Sequence, residues 1–491
     1  MTTDVQINPE EKEGESSETS DVKDIGLLSE FASYTTLHGL HFVAGPFMLI
    51  RRILWAILVV VGAGLLISLC IERYGKLAAK DTVTTREHQS DKLIPFPAVT
   101  VCNLNMLRKD KIIGTEAQIF MDSLAKVHSK EKLINDSNET FTLDLDKVVR
   151  EAGHNISEML LDCTFQQKPC SSNEFFSAVF PKVKLIGYFF FFFSNRGLCY
   201  TFSSGKPGYP SRLINAAGRA NALILSLMAQ PNQYYGPYST DSTGFRVLIH
   251  DQNEWPDVEN HGMDISPGIL AAIPIKRHKI IRLPTPYKSR CGEKQLRYFQ
   301  NYSHSACFFE CLTRTVVDKC HCRLLGTDLL DELNATRYCG PKEFVSCAGD
   351  IESNLLLDST SCECPLECEK VSYDVQVFSS TFPSKTYNTT AAFKKFMLST
   401  GQGSEGDGGN FQDTIRQNVA KVQIFYGTTA MQITIEQPAY SINDFGADIG
   451  GSMGLFLGCS LLTLCEFVDL FLMFCLTRIS FRRRPVVHAS Q

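Results

Sequence analysis

An uncharged apolar run at residues 53–71, ILWAILVVVGAGLLISLCI, constrains this chain more than any other feature of its sequence. A helix of these 19 residues would be roughly 28 Å long, about the thickness of the hydrocarbon core of a bilayer. A buried helix of a soluble protein is the alternative, but Arg51, Arg52, Glu72 and Arg73 bracket the run closely. A signal peptide follows only a short basic region, whereas about 50 mostly polar residues precede this run. We therefore expect a retained membrane span.

A second apolar segment runs from about residue 449 to residue 476 and carries only two charges, both near its distal end. Two arginines directly precede the first segment, while Arg478 and the arginines at 482–484 follow the second. Positive charge is enriched on the cytoplasmic side of membrane spans, so both chain ends are expected in the cytoplasm. The 377 residues between the spans are then expected outside the cell.

Cysteines and glycosylation sequons test this topology independently. Of the 18 cysteines, 14 lie between the spans, an even number and a density typical of oxidising compartments. All six Asn-x-Ser/Thr sequons, which are glycan acceptors in secreted proteins, also lie there. The sequons are at Asn135, Asn138, Asn155, Asn301, Asn334 and Asn388. Both observations support an extracellular domain.

Nucleic-acid binding and catalysis find no support in the sequence. The net charge of −5 gives no basic excess, which the neutralisation of phosphates normally requires. We find no HExxH, GxSxG, P-loop or GxGxxG motif, and expect neither an enzyme nor a cofactor. The pairs Cys320/Cys322 and Cys362/Cys364 resemble zinc ligands in spacing, but an extracellular location without partner histidines favours disulfides. No metal site is therefore expected.

Local patterns between the spans predict an α+β domain. Helical character is found in residues 114–160 and 305–317, and ten cysteines within residues 291–368 predict a helical module stapled by disulfides. Residues 401–409, GQGSEGDGG, predict a surface loop. Strands are expected at residues 93–105, 196–202, 244–250 and 420–437.

The second span combines small residues with carboxylates. Glycines recur every four residues at Gly450, Gly454 and Gly458, with Ser452 and Ser460 near the same face. Small residues at this spacing allow helices to approach closely, either in a pore or in ordinary dimer packing. Glu466 and Asp469 are three apart and are neighbours on a helix. A carboxylate ring in a pore would favour cations; the alternative places both residues in the cytoplasmic headgroup region.

Three motifs carry a resemblance to a known family. They are TLHGL at residues 36–40, FPAVTVCNLN at residues 96–105 and ADIGGSMGLFLGCS at residues 447–460. In this order and placement they closely resemble the degenerin/epithelial sodium channel family, nearest to its acid-sensing branch. The likeness runs from about residue 31 to residue 470. The resemblance implies a plasma-membrane trimer, homomeric or formed with related subunits, that has an amiloride-sensitive, sodium-preferring pore.

The same resemblance divides the chain into regions. The extracellular domain would contain palm, β-ball, finger, thumb and knuckle regions. The implied ranges are a cytoplasmic N-terminus at 1–48, a first transmembrane helix at 49–73, an extracellular domain at 74–446 with its thumb at about 288–370, a second transmembrane helix at 447–476, and a cytoplasmic C-terminus at 477–491.

The resemblance also implies roles for residues of the pore. His38 and Gly39 match the family's His-Gly motif, which lies in a re-entrant segment at the cytoplasmic pore mouth. Gly458, Cys459 and Ser460 match the Gly-x-Ser selectivity belt, in which the middle residue is usually Ala or Ser, so Cys459 departs from the pattern. The implied gate and pore-lining residues are Ala447, Asp448, Gly451, Gly454, Glu466 and Asp469.

Seven family disulfides carry over onto all 14 extracellular cysteines. Spacing alone could not give their connectivity. The implied pairs are Cys102–Cys199, Cys163–Cys170, Cys291–Cys368, Cys307–Cys364, Cys311–Cys362, Cys320–Cys347 and Cys322–Cys339.

Acid sensing carries over poorly. Acid-sensing members place several carboxylates at the finger facing the thumb, whereas residues 236–244 here offer only Asp241, with Asp350 and Glu352 as thumb candidates. His88 stands alone after the first span, where the family has a histidine cluster. We therefore expect Asp241→Asn to leave any pH response nearly unchanged. A small extracellular ligand, protons acting in another way, or an open resting state are the remaining gating hypotheses.

Two alternatives share some of these features. A trimeric ATP-gated-type cation channel has the same topology and an even number of ectodomain cysteines, but the Gly-x-Ser segment and the dense late cysteines favour the first interpretation. A non-conducting surface receptor or adhesion subunit would need no pore. The expected partners are the membrane, sodium ions and related subunits, and no nucleic acid.

Overall fold

The structure, a computed structural model, describes residues 30–128, 143–180, 185–186, 190–191, 197–235, 242–327, 333, 336–357, 359–385 and 411–482. It forms two compact units, which we describe separately. One unit covers Thr84–Gln437, and the other combines Met1–Val83 with Pro438–Gln491.

Strands and helices are named here by their bounds. Within the described residues the strands are β1 (Thr82–Ser90), β2 (Ile94–Pro95), β3 (Ala98–Asn103), β4 (Leu107–Arg108), β5 (Leu160–Phe165), β6 (Lys168–Pro169), β7 (Phe175–Phe180), β8 (Leu185–Ile186), β9 (Phe190–Phe191), β10 (Gly197–Phe202), β11 (Leu213–Ile214), β12 (Leu223–Met228), β13 (Tyr234–Tyr235), β14 (Phe245–His250), β15 (Met263–Ile265), β16 (Ile269–Ile281), β17 (Glu369–Val375), β18 (Phe378–Thr381), β19 (Val419–Tyr426) and β20 (Ala430–Pro438). The α-helices are Leu40–Ala44, Leu49–Ala79, Lys109–Ile112, Glu116–His128, Leu145–Ala152, Ile156–Met159, Val258–His261, His304–Cys320, Pro341–Glu343, Gly349–Leu357, Phe411–Asn418, Ile442–Leu457 and Leu461–Arg482.

The larger sheet has nine strands and lines the main core. Its order is β1-β20-β16-β19-β12-β5-β6, and β17 and β18 also pair with β16. Strand β16 is 13 residues long and pairs in parallel first with β19 and then with β20. Leu223, Leu225 and Leu227 of β12 lie on one face of the sheet, because successive side chains of a strand point to opposite faces, and all three are fully buried in the main core.

A five-stranded antiparallel sheet has the order β15-β14-β3-β10-β7. Every residue of β3, β10 and β14 is buried, as expected for strands that are covered on both faces. Cys102 and Cys199 are direct partners across β3 and β10 and form a disulfide with Cα atoms 4.4 Å apart. The sheet is therefore cross-linked at its centre.

A helical module follows between Cys291 and Cys368. Its longest helix, His304–Cys320, begins where the Ser303 hydroxyl accepts a hydrogen bond from Ala306 N at 3.1 Å, a standard N-cap. Five disulfides staple the module, and two more lie elsewhere in the same unit. All seven join the pairs that the resemblance implied, so the Cys-x-Cys pairs are bridges and not zinc ligands.

The buried carboxylate of Asp146 joins this module to an earlier helix, and its partner Gly326 lies 180 positions further along the chain. Asp146, in helix Leu145–Ala152, is 1% exposed. Its Oδ1 accepts from Gly326 N at 2.6 Å, and its Oδ2 accepts from Tyr338 Oη at 2.7 Å. Burial and the Asp146 carboxylate both raise the pKa of Tyr338. The Tyr338 phenol therefore stays protonated and donates to Asp146.

Of the described histidines in the same unit, His154 and His250 are buried. His154 lies between amide oxygens, with Nδ1 3.1 Å from Gln230 Oε1 and Nε2 3.0 Å from Asn105 Oδ1. His250 Nε2 lies 2.9 Å from Thr100 Oγ1. Burial lowers the pKa of each histidine to about 4, so both are neutral at physiological pH.

Most sequence-predicted elements are present with shifted ends. The predicted helix at 305–317 extends over His304–Cys320, and the first apolar helix continues past residue 73 to Ala79. Asn155 and Asn301 are exposed. The 401–409 loop, Asp241 and the sequons at Asn135, Asn138, Asn334 and Asn388 lie outside the described residues.

Candidate functional site

The unit built from the two chain ends contains the candidate membrane spans. Helix Leu49–Ala79 is the one described helix that by itself is long and apolar enough to cross a bilayer. The pair Ile442–Leu457 and Leu462–Leu476 meets the same criterion only when taken together, and it is bent by 77°. The described residues therefore contain one continuous candidate span and one broken one.

The break corrects the continuous second helix expected from the sequence. Gly458 has φ +60° and ends the first half as a left-handed cap, where Gly458 N donates to Gly454 O at 3.1 Å and Cys459 N donates to Met453 O at 3.3 Å. Ser460 then starts the second half, where its N donates to Thr463 Oγ1 at 2.9 Å. Ser460 thus does not continue the glycine face that was predicted for an unbroken helix.

The break exposes carbonyl groups that the N-terminal segment satisfies. His38 N donates to Leu457 O at 3.2 Å, and His38 Nδ1 lies 2.7 Å from Gly458 O. A helix end leaves several carbonyls without partners, and in a bilayer no water is available to replace them. A Cβ at Gly458 would lie 2.0 Å from His38 Nδ1, so only glycine fits against the histidine.

Gly39 contacts the first apolar helix from the same segment. It has φ +96°, and a Cβ there would lie 2.9 Å from Val59 Cγ2. Phe42, in the short helix that follows, stacks on Trp55 with ring centroids 4.7 Å apart. The two residues of the His-Gly motif therefore face different helices, with His38 on the broken span and Gly39 on the continuous one.

Cys459 points into its own chain. It is 7% exposed, and its Sγ lies 3.6 Å from Met453 O at the helix break. Ser460, by contrast, is exposed. A small thiol here replaces the Ala or Ser of the motif without presenting its side chain to solvent.

The candidate gate residues lie within helix Ile442–Leu457. Ala447 is exposed in the single chain. Asp448 Oδ2 accepts from Tyr440 Oη at 2.8 Å and lies 3.3 Å from Arg73 Nε, which is in the first apolar helix. The carboxylate next to Ala447 therefore links the two candidate spans.

The glycines of this helix are open in the single chain. A Cβ built at Gly450, Gly451 or Gly454 would meet no atom within 4 Å. Gly62 of the first apolar helix differs, because a Cβ there would lie 2.9 Å from Phe456 O. Close packing between the two spans therefore uses Gly62, and Gly450 and Gly454 of the predicted small-residue face remain uncovered in the single chain.

The two carboxylates of the second half have different surroundings. Glu466 Oε2 accepts from Thr35 Oγ1 and from Thr36 N, both at 2.9 Å. Asp469 is exposed, and it makes no ion pair or hydrogen bond within the described part of the chain. The sequence prediction treated the two carboxylates as one pair. No sequence pattern pointed to Thr35 and Thr36, because they lie 431 and 430 positions away from Glu466.

The thumb candidates for acid sensing also differ from each other. Asp350 is exposed. Glu352 is buried, and its burial raises its pKa to about 9, so it is uncharged at neutral pH. Of the two, Asp350 alone presents a carboxylate to solvent.

Comparison with known proteins gives a consistent result. The model of the family described as "Amiloride-sensitive sodium channel" matches residues 31–470. Acid-sensing ion channel 1 of Gallus gallus is 27% identical over 471 residues, which cover 90% of this chain and 83% of the relative. Acid-sensing ion channel 2 of Homo sapiens is 29% identical over 466 residues, which cover 89% of this chain and 85% of the relative. A cryo-EM structure of a proton-activated chloride channel aligns with a TM-score of only 0.29 at 8% identity, covering 85% of this chain and 98% of that one, and supports no conclusion. By the match over residues 31–470, this chain belongs to the amiloride-sensitive sodium channel family.

Proposed function

We propose that this chain is one subunit of a sodium-permeable, amiloride-blocked cation channel of the plasma membrane. The observation that carries the proposal is the second span, which breaks at residues 458–460 while His38 binds the carbonyls freed by the break. A broken span is tolerated in a membrane where irregular backbone lines a pore or is buried in protein. Carbonyl and hydroxyl groups at such a break can replace the hydration shell of a cation.

The assembly is proposed to be a trimer, homomeric or formed with related subunits. The open face at Gly450, Gly451 and Gly454 supports this, because small residues allow helices of neighbouring subunits to approach closely. Gly458, Cys459 and Ser460 would form the selectivity belt, and Ala447 and Asp448 would lie at the gate. Both chain ends would be cytoplasmic and residues 74–446 extracellular.

We also propose the family regions of the extracellular domain. The nine-stranded sheet would form the palm, the five-stranded sheet the β-ball, and the disulfide-stapled helices within residues 288–370 the thumb. Five disulfides stabilise this module, since each bridge contributes about 2–4 kcal/mol. Gating from the extracellular side, by a ligand or with modulation by protons, is the proposed use of this domain.

The test is the current carried by this chain expressed alone, while pH, neuropeptides, bile acids and calcium are varied. A sodium current that amiloride blocks would support the proposal. Enlarging Ser460 should then change permeability ratios more than surface expression. ATP-evoked current that resists amiloride would favour the ATP-gated class. Surface expression without current under every condition would favour a receptor or adhesion subunit.

A further inference from the structure

An open cavity lies at the start of the disulfide-stapled module, along the loop that follows Cys291. Residues 293–300 and Tyr302 line it, and its volume is about 640 Å³. Sites for small organic molecules typically have volumes of roughly 300–1,000 Å³. The cavity is therefore large enough for a ligand, provided that the loop is held in this shape.

A buried carboxylate holds the middle of the loop. Glu310, on helix His304–Cys320, is 6% exposed. Its Oε2 accepts hydrogen bonds from Arg297 N and from Tyr298 N, both at 2.9 Å. A hydrogen bond to a charged group is stronger than one between neutral groups, and here two of them converge on one oxygen. The backbone of the loop is therefore fixed from the side of the helix.

Aromatic contacts hold the second part of the loop. Phe299 lies edge-on to Trp255 with ring centroids 5.0 Å apart, and Trp255 stacks on Phe309 at 5.3 Å. Tyr302 Oη donates to Pro365 O at 2.5 Å. Because these contacts order the loop without a ligand, binding there loses little conformational entropy.

The chemistry of the lining indicates the kind of ligand. Three of the lining residues are aromatic, and Lys294 and Arg297 bring positive charge against the one carboxylate, that of Glu293, among these described residues. Lys294 Nζ donates to Cys362 O at 3.5 Å, and an ammonium group has three N–H donors, so donors remain for a ligand. Aromatic rings offer flat apolar surface, while cationic side chains bind carboxylates and sulfonates.

We propose that this loop binds a small organic anion that has a flat apolar body and one carboxylate or sulfonate group. The apolar body lies against Tyr298, Phe299 and Tyr302. The anionic group is bound by Lys294 and Arg297.

The cavity lies where the module joins the larger sheet. Gly292 N donates to Leu366 O at 2.9 Å, and the Cys291–Cys368 disulfide joins the two ends of the module. Arg282 N, directly after strand β16, donates to Cys368 O at 2.7 Å. Strand β16 pairs with β20, after which the chain enters the second candidate span. A bound anion thus acts on this junction and modulates the current from outside, and this last step alone rests on the proposed channel function.

Binding is tested by isothermal titration calorimetry on the purified full-length protein in nanodiscs. The probes are naphthoate, naphthalenemethanol and naphthylmethylamine, which share one ring system and differ in charge. Empty nanodiscs correct for partition into lipid. Naphthoate should bind most tightly and the cationic amine most weakly. Tighter binding of the amine, or no binding of naphthoate, would overturn the proposal.

Variants of the lining locate the site. Lys294→Gln and Arg297→Gln should each weaken naphthoate binding by about 3- to 10-fold, the size expected for one charged contact at an exposed site. Neither should alter the affinity for naphthalenemethanol, whereas Tyr298→Ala should weaken the binding of both probes. Lys319→Gln is the matched control, because Lys319 is an exposed lysine of the same module that does not line the cavity. Parent affinity for naphthoate in the double Lys294→Gln/Arg297→Gln variant, at an unchanged melting temperature, would overturn the site.

Current recordings separate the site from its role. Naphthoate applied outside the cell should change the current of the parent, and should change that of the double variant less. Binding without any change in the parent current would overturn the modulatory role. Lack of parent current under every condition would count against the proposed channel function, while calorimetry would still decide the site.

Discussion

Asp146 fixes a helix of the extracellular unit to the disulfide-stapled module, and its replacement gives a stability change that can be worked out from the structure. The side chain is buried and accepts hydrogen bonds from Gly326 N and Tyr338 Oη at 2.6 and 2.7 Å. A hydrogen bond to a charged group contributes about 1.5–3 kcal/mol, and a buried donor left unpaired costs about 1–3 kcal/mol. Asp146→Ala should therefore lower the free energy of unfolding by about 3–6 kcal/mol.

The assay is thermal unfolding of the purified full-length protein in detergent. A loss of this size should lower the melting temperature by about 5–10 °C in a unit larger than 250 residues. Asp146→Asn keeps one acceptor and should show about half the loss. Asp162→Asn is the matched control, because Asp162 is exposed on strand β5 of the same unit and should leave the melting temperature unchanged.

A double-mutant cycle with Tyr338→Phe separates the loss of stability due to this hydrogen bond from the loss due to removing the charge of Asp146. Residues that share one hydrogen bond are non-additive when both are changed. The double variant Asp146→Asn/Tyr338→Phe should therefore be less destabilised than the sum of the two single variants. Strict additivity, or an Asp146→Ala protein that melts with the parent, would refute the assignment of Asp146 as the anchor.

Three further predictions concern the gate, the belt and pH. Ala447→Cys labelled with a bulky thiol reagent should raise the resting current above that of the labelled parent, since a wedge at the constriction disfavours closure; labelling without added current would contradict the gate. Cys459→Ser should leave the permeability ratio unchanged, because the side chain faces Met453 O; an altered ratio would place the thiol in the pathway. Burial lowers the pKa of His154 to about 4, whereas a histidine of the unfolded chain has a pKa of about 6.5. The unfolded chain therefore binds this proton at a higher pH than the folded protein does. About 3 kcal/mol of stability is thus present above pH 6.5 and is lost as pH falls towards 4. Melting temperatures measured between pH 7 and pH 4 should fall less in His154→Gln, and equal falls would contradict this linkage.

The sequence predicts the parts of this fold that depend on local pattern. An uncharged run of 19 residues leaves few alternatives to a spanning helix, and alternating residues in β19 mark its buried face. The disulfide pairing required the family resemblance, because 14 cysteines allow many connectivities. The Asp146 contact with Gly326 and Tyr338 could not be predicted, since neither pattern nor spacing relates residues 180 or more positions apart.

The helix break shows where a periodic pattern stops being informative. Glycines at four-residue spacing predict a packing face only where the helix is regular, and the helix is regular up to Leu457. Gly458 fits the same spacing, yet its left-handed backbone ends the helix, because glycine is both a small interfacial residue and the commonest C-terminal cap. Which role it takes depends on partners for the freed carbonyls. Those partners are supplied by His38, 420 positions away, and without them a break inside a bilayer would be costly. The His-Gly motif and the Gly-x-Ser motif are therefore two halves of one structural requirement, and neither half predicts the break alone.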